Sequence, residues 1–204
     1  MKYPFLTPAM LEKFYQPMGK EIPREEWGLI LNNSSWNAPE SNVVAHVILN
    51  EDNRFALVIN RKDEREGGRR RGGGIPTKEV LNGETPIEAA RRAVKEELSI
   101  SGDLQISEEP ILVRLNGRNV THVTFIGKMK FPGYNFKKIE GGGEIKEALF
   151  IDPFKTILIR RKNLGYKKGE KDRFEYDPIL RGRIVYKSHL GIIAFFIRMK
   201  KSQP

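Results

Sequence analysis

The sequence predicts an α/β fold, preceded by an arm and followed by a basic extension. Three observations carry that reading. Short apolar, β-branched runs recur between turn residues, and a single strongly amphipathic helix stands among them. Hydrophobic residues make up 39% of the chain against 30% charged, enough for a core. The 204 residues suit one domain with extensions.

The elements follow in order. Thr7-Pro8 is a helix-start signal, with proline at the first helical position, and Leu11, Phe14 and Tyr15 form an apolar stripe behind it. Asn32-Asn33-Ser34-Ser35 and Pro39 read as loop, flanked by Trp27 and Trp36 as packing anchors. Val43 to Leu49, the turn residues Glu51-Asp52-Asn53 and Phe55 to Ile59 make a hairpin. Residues 64–74 are a glycine- and arginine-rich loop. Thr85-Pro86-Ile87-Glu88 is a capping box that starts a helix whose Ile87, Ala90, Val94 and Leu98 share one face. On its polar side Glu88, Arg92 and Glu96 follow at i,i+4 steps, so Arg92 can brace either carboxylate. Ile111 to Leu115 and Val120 to Phe131 are strands joined by an Asn116-Gly117 turn. Ala148 to Ile151 is a short strand closed by Asp152-Pro153, and the segment from Asp177 is a helix or a strand–helix pair.

Composition removes several function classes. Without cysteine there is no disulfide, thiolate nucleophile or cysteine-ligated metal. Apolar runs such as Ile192 to Ile197 fall far short of the ~20 residues of a membrane span. Met1-Lys2-Tyr3-Pro4-Phe5 lacks a secretory stretch, so a soluble, cytoplasmic protein with no membrane partner is expected. The net charge of +10 is uneven. Residues 151–204 hold 14 Lys/Arg and 5 Asp/Glu, whereas residues 1–150 are almost neutral. The basic segment is either a solvated surface or a site for a polyanion such as nucleic acid. His46, His122 and His189 are far apart in sequence and read as isolated structural histidines.

The adjacent carboxylates Glu96 and Glu97 on a rigid helix are either a solvated face or a hard-cation site, since Mg²⁺ takes oxygen ligands and is often completed by phosphates. Residues 76–100 resemble the Nudix box, G-x5-E-x7-R-E-U-x-E-E-x-G-U, where U is a bulky aliphatic. Glu84, Arg92, Val94, Glu96, Glu97 and Ile100 fill its positions, and Ile75-Pro76 resembles the Leu-Pro before it. Three positions depart: Lys78 stands for the first glycine, Ser99 for the late one, and Ala93 for the Glu after the Arg. Glu144 to Pro153 looks like the Glu-rich stretch and strand late in that domain.

The resemblance to the Nudix hydrolase superfamily implies an α/β/α sandwich with a mixed sheet over residues 42–155, between an arm at 1–41 and a basic segment at 156–204. It also implies hydrolysis of a phosphoanhydride in a nucleoside diphosphate linked to another group, with Mg²⁺ or Mn²⁺ held by Glu96 and Glu97. The implied catalytic set is Glu96, Glu97 and Arg92. Glu144 and Glu147 are the best candidates to replace the carboxylate missing at Ala93, with Glu79 a weaker one. Arg69, Arg70, Arg71 and Lys78 are the candidate contacts to the substrate phosphates. The competing reading is a catalytically impaired Nudix-fold module that binds a nucleotide or, through residues 156–204, nucleic acid. A weaker one is an enzyme acting on RNA 5′ ends. The N-terminal arm offers a dimer surface.

Overall fold

The structure is a computed structural model and describes residues 5–15, 19–31, 42–51, 54–60, 72–98, 104–116, 119–129, 145–159, 174–176, 184–185 and 187–202. The chain order is α1 (Pro8–Tyr15), β1 (Lys20–Glu21), a 3-10 turn (Arg24–Glu26), α2 (Trp27–Leu31), β2 (Asn42–Glu51), β3 (Arg54–Asn60), β4 (Gly72–Gly74), β5 (Thr77–Glu79) and α3 (Pro86–Leu98). It continues with β6 (Leu104–Ile106), β7 (Leu112–Leu115), β8 (Val120–Met129), β9 (Ile145–Ile151), α4 (Pro153–Thr156), β10 (Ile157–Ile159), β11 (Phe174–Tyr176), β12 (Ile184–Val185) and α5 (Lys187–Lys201).

Among the described residues ten strands form one mixed sheet, ordered β1-β7-β8-β2-β3-β4-β12, with β5 on β2, β6 on β8 and β9 on β3; β10 and β11 pair separately. The pairs β2–β8 and β4–β12 are parallel. The strand period of two sorts the side chains onto two faces. From β3, Ala56 and Val58 join Val43, Ala45, Val47 and Leu49 of β2 in a core with Ala90, Val94 and Leu98 of α3. Phe55, Leu57 and Ile59 point the other way, into a core with Leu11 of α1 and Leu190, Ile193 and Phe196 of α5. Helices thus cover both faces, giving the α/β/α sandwich with a mixed sheet.

The helix signals hold. In the capping box the Thr85 amide donates to Glu88 Oε2 at 2.8 Å, while Thr85 Oγ1 accepts from the Glu88 amide at 3.4 Å. Asp152, which closes β9, caps α4 by accepting from the Phe154 amide. Trp27 is a packing anchor: its ring is buried and its indole N–H donates to the Ile22 carbonyl at 2.8 Å. The segment after Asp177 resolves as the strand–helix pair, with β12 ahead of α5.

The first hairpin is real only at its turn. Asn50 pairs with Phe55 and Glu51 with Arg54, after which β2 and β3 part. Beyond that point β2 takes β8 and β5 as neighbours, and β3 takes β9 and β4. A continuous apolar run suits a central strand with partners on both edges. The second hairpin is regular, from Leu115↔Thr121 to Leu112↔Thr124. Among the described residues no helix is long and apolar enough to cross a membrane.

Candidate functional site

Two short strands and one helix build the site. Gly73 and Gly74 of β4 lead through Ile75 and Pro76 into β5, which pairs with β2 through Val44↔Glu79, Ala45↔Lys78 and His46↔Thr77. The turn 80–85 then reverses the chain into α3, with Gly83 at a φ of +79°, a conformation that glycine adopts without a Cβ clash. This turn is held by Glu84 and Arg92. Arg92 Nε donates to Glu84 Oε1 and its second nitrogen to Oε2, both at 2.8 Å, and the same nitrogen reaches the Glu79 carbonyl at 2.7 Å. Glu84 Oε2 also accepts from the Leu81 amide at 2.9 Å. Such a bidentate pair fixes direction as well as distance. Its hydrogen bond to Arg92 holds the Glu84 carboxyl below its ordinary pKa.

Arg92 therefore does not brace its helical neighbours Glu88 and Glu96 by direct bonds, as the i,i+4 spacing suggests. Glu88 is taken by Thr85, and Glu96 by Lys78. Arg92 fastens the turn onto the helix, because the bidentate partner at Glu84 outcompetes a single surface contact.

The last turn of α3 carries Glu96 and Glu97. Glu97 is buried, 6% exposed, and its Oε2 accepts from the Thr77 amide at 3.0 Å. The Lys78 ammonium lies 3.2 Å from Glu96 Oε2 and 3.5 Å from Glu97 Oε1, with the lysine side chain 22% exposed. Ala93, one turn before Glu97, is fully buried. The structure thus brings Lys78, Glu96 and Glu97 together, with Arg92 at the other end of the same turn. Arg69, Arg70, Arg71 and Glu144 lie outside the described residues, and Glu147 is described only as a position in β9 opposite Ile59.

The divalent ion implied by the box can be tested against these groups. Mg²⁺ needs several oxygens at about 2.0–2.1 Å in octahedral array. Here Ala93 supplies none, Glu97 already holds a backbone amide, and an ammonium stands against both carboxylates. Among the described residues no group of three or more His, Cys, Asp or Glu is placed to hold a metal ion. The described residues as arranged do not fit a resident divalent cation.

Beneath β5 lies a feature that sequence separation hid. The three histidines are together. His46 Nδ1 is 2.9 Å from Thr77 Oγ1, His46 Nε2 is 2.9 Å from His122 Nδ1, and His122 Nε2 is 3.1 Å from Asn116 Nδ2. The His189 ring meets His46 edge-on, with centroids 5.3 Å apart. The Thr77 hydroxyl donates to the Ile75 carbonyl at 2.8 Å, so it accepts from His46 Nδ1–H. His46 Nε2 then accepts from His122 Nδ1–H, and His122 Nε2 accepts from the Asn116 amide. Elimination thus assigns both rings as neutral Nδ1–H tautomers. Burial, chiefly, keeps them neutral by lowering both pKa values. Burial likewise pushes His189 down to about 4, with repulsion from His122 adding whenever that ring is protonated and a hydrogen bond to the Ile75 backbone opposing. Thr77 joins the two faces of the sheet: its hydroxyl ends the histidine chain and its amide holds Glu97. The signal available in sequence was parity: β2 and β8 run parallel, and His46 lies two residues beyond Val44, the partner of His122, which puts both rings on one face.

Three of the basic residues described in the C-terminal segment have local partners. Arg198 pairs with Glu12 of α1 at 3.3 Å, Lys200 donates to Asn50 Oδ1 at 2.7 Å, and Lys155 lies 3.5 Å from Asp152. Residues 160–173 and 177–183, which hold most of the excess charge, lie outside the described residues.

No curated protein matches the chain. Among solved structures, a NUDIX hydrolase from Nitrosomonas europaea is 20% identical, with a TM-score of 0.38 over 54% of this chain and 71% of its own. An ADP-ribose pyrophosphatase from Streptococcus suis is 13% identical, with a TM-score of 0.43 over 80% and 94%. A pyrophosphohydrolase from Bacillus subtilis is 16% identical, with a TM-score of 0.42 over 85% and 89%. The assignment comes from the family comparison: residues 39–138 match the model of the NUDIX domain, and this part of the chain is a NUDIX domain.

Proposed function

We propose that the site between β5 and α3 takes a nucleoside diphosphate linked to another group. That is a ligand of the kind handled by a Nudix pyrophosphohydrolase, the activity that the domain supports in general. Two readings differ in the fate of the phosphoanhydride. In one, water attacks a phosphorus of the diphosphate: a new P–O bond forms, the bridging P–O bond breaks, the second phosphate leaves with its own group and the water gives up a proton to solvent; a Mg²⁺ or Mn²⁺ ion, if bound, would supply charge neutralisation. The box residues that remain favour this reading: the Glu84–Arg92 clamp and the paired carboxylates Glu96 and Glu97.

In the other, the domain holds its ligand and hydrolysis is impaired. The geometry supports this reading best, and one observation carries it. The Lys78 ammonium sits against both carboxylates that a metal would need. The loss of a carboxylate at Ala93 acts in the same direction. Glu144 and Glu147 remain the proposed sources of a further carboxylate, and Arg69, Arg70 and Arg71 of phosphate contacts. Residues 156–204 are the proposed surface for a longer anionic partner. Incubation with Mg²⁺ or Mn²⁺ and a panel of nucleoside triphosphates, ADP-ribose, dinucleotides and 5′-triphosphorylated RNA separates the readings. Binding without phosphate or nucleotide release above a Glu97→Gln control is expected. Release well above that control on any panel member would refute the impaired reading and establish the hydrolase.

A further inference from the structure

Two of the box's departures from its pattern, Lys78 and Ala93, shift the charge of the site in the same, positive direction. Where the pattern has glycine, Lys78 adds a positive charge; where it has Glu, Ala93 removes a negative one. The ammonium is not left in solvent. It lies 3.2 Å from Glu96 Oε2 and 3.5 Å from Glu97 Oε1, on a side chain only 22% exposed. Its backbone is fixed at Ala45↔Lys78 in the β2–β5 ladder, and the neighbouring Thr77 amide holds the other Glu97 oxygen at 3.0 Å. A side chain anchored so close to its partners loses little freedom in forming the pair. A buried carboxylate such as Glu97 needs a compensating charge, and lysine supplies one as a compact point charge with three donors.

We propose that Lys78 is the resident cation of this site: its ammonium takes the place between Glu96 and Glu97 that a divalent ion would occupy, and it binds the ligand's diphosphate without metal. The proposal rests on the ligand class and the impaired reading given above. A divalent ion cannot reach bonding distance of both carboxylates while the ammonium stands against them, because like charges exclude each other at this range. With Lys78 in place and Ala93 contributing nothing, the three side chains sum to a single negative charge. That is too little to hold a divalent ion against water, and the ammonium is already paired with both carboxylates. Phosphate oxygens arriving at the exposed side of Lys78 meet an ammonium that is already positioned, so recognition needs no metal.

The test has one arm without nucleotide and one without metal. Mn²⁺ binding is measured by electron paramagnetic resonance on the wild type, Lys78→Gly, Lys78→Met and Lys78→Gly/Ala93→Glu, with circular dichroism to check folding. Lys78→Met keeps the aliphatic stem and loses only the charge. Either single variant should bind Mn²⁺ about tenfold more tightly than the wild type, and the double variant more tightly again. A wild type that binds one Mn²⁺ as tightly as both single variants would overturn the proposal. Binding of ADP is then measured by calorimetry in excess EDTA. The wild type should bind equally well with and without the chelator, and Lys78→Met should lose about tenfold. Loss of wild-type ADP binding in EDTA would also overturn it. If ADP binds no variant under any condition, the ligand class is wrong, and the Mn²⁺ arm alone decides whether Lys78 holds the cation's place.

Discussion

Gly74→Ala is the most diagnostic single change in this protein, because the added methyl has nowhere to go. An ideal Cβ at Gly74 would sit inside the His189 imidazole, against Nδ1, 2.5 Å from Cε1 and 2.9 Å from Cγ. Neither partner yields cheaply. Gly74 pairs with Val58 in the β3–β4 ladder, and the preceding Gly73 pairs with Val185 of β12. His189 is buried on α5, its ring edge-on to His46. Relief requires either lifting α5, which carries the buried Leu190, Ile193 and Phe196, or turning the ring out of the cluster. Overpacking of this kind costs about 1–3 kcal/mol. A rigid ring facing a strand paired on both edges places the cost in the upper half, about 2–3 kcal/mol. At roughly 2–4 °C per kcal/mol for a chain of this length, the melting temperature should fall by about 4–12 °C. His189→Ala alone leaves a cavity and is also destabilising. The double variant should then cost less than the two singles summed, by about 1–3 kcal/mol, because the new methyl occupies vacated space. The assay is thermal and urea unfolding of all four proteins at neutral pH. A Gly74→Ala protein within about 0.5 kcal/mol of wild type, or additive singles, would refute the packing of His189 against β4.

Other outcomes follow from the same contacts. Burial lowers the pKa values of His46, His122 and His189, so the unfolded chain binds more protons below its ordinary histidine value. The stability of the native state is fully present above pH ~6.5 and falls as the pH drops, by up to about 1.4 kcal/mol per unit for each histidine. For His189 that window runs down to about 4, and urea midpoints from pH 8 to 4 should fall less steeply in His189→Gln. A flat wild-type profile would contradict the burial. Arg92→Lys replaces the two-pronged bond to Glu84 with a single point contact and should cost about 1–2 kcal/mol. Faster hydrogen exchange at the Leu81 amide, which Glu84 holds, is the local readout, and unchanged exchange would mean that the turn is held elsewhere.

The parts of the fold legible in the sequence were those specified locally. The α3 start was written in Thr85, Pro86 and Glu88, and each of those residues does at the helix end what its chemistry requires. The β7–β8 hairpin was legible because its two strand runs are separated in sequence by only a few residues that include an Asn-Gly turn dipeptide. The pairing of β2 was not, because its longest partnership, with β8, joins residues more than seventy positions apart. Periodicity states which face a residue takes and not which strand lies beside it. The site divides in the same way. Glu84, Arg92, Glu96 and Glu97 were identified from spacing along one segment. The helical wheel sent Arg92 to the wrong carboxylates, because a wheel contains no turn folding back from Glu79. Lys78 was read as a contact to substrate phosphates and as a missing glycine, and its ion pairs with the helix were unreadable until β5 was laid beside α3. The histidine chain runs through β2, β5, β8 and α5, four elements that no local pattern connects.

The helices that close the second face of the sheet have a consequence for how the protein is made. Phe55, Leu57 and Ile59 of β3 emerge from the ribosome early, but their partners on α5 follow only after residue 186. During synthesis the α3 side can consolidate while the opposite side stays wet, with only α1 near enough in the chain to shield it. A nascent chain stalled before α5 would display an apolar surface bounded by the unpaired edge of β4, whose partner β12 also arrives late. Such a surface is what chaperones bind and aggregates grow from. The yield of native protein should therefore depend on how quickly the segment between β9 and α5 is translated.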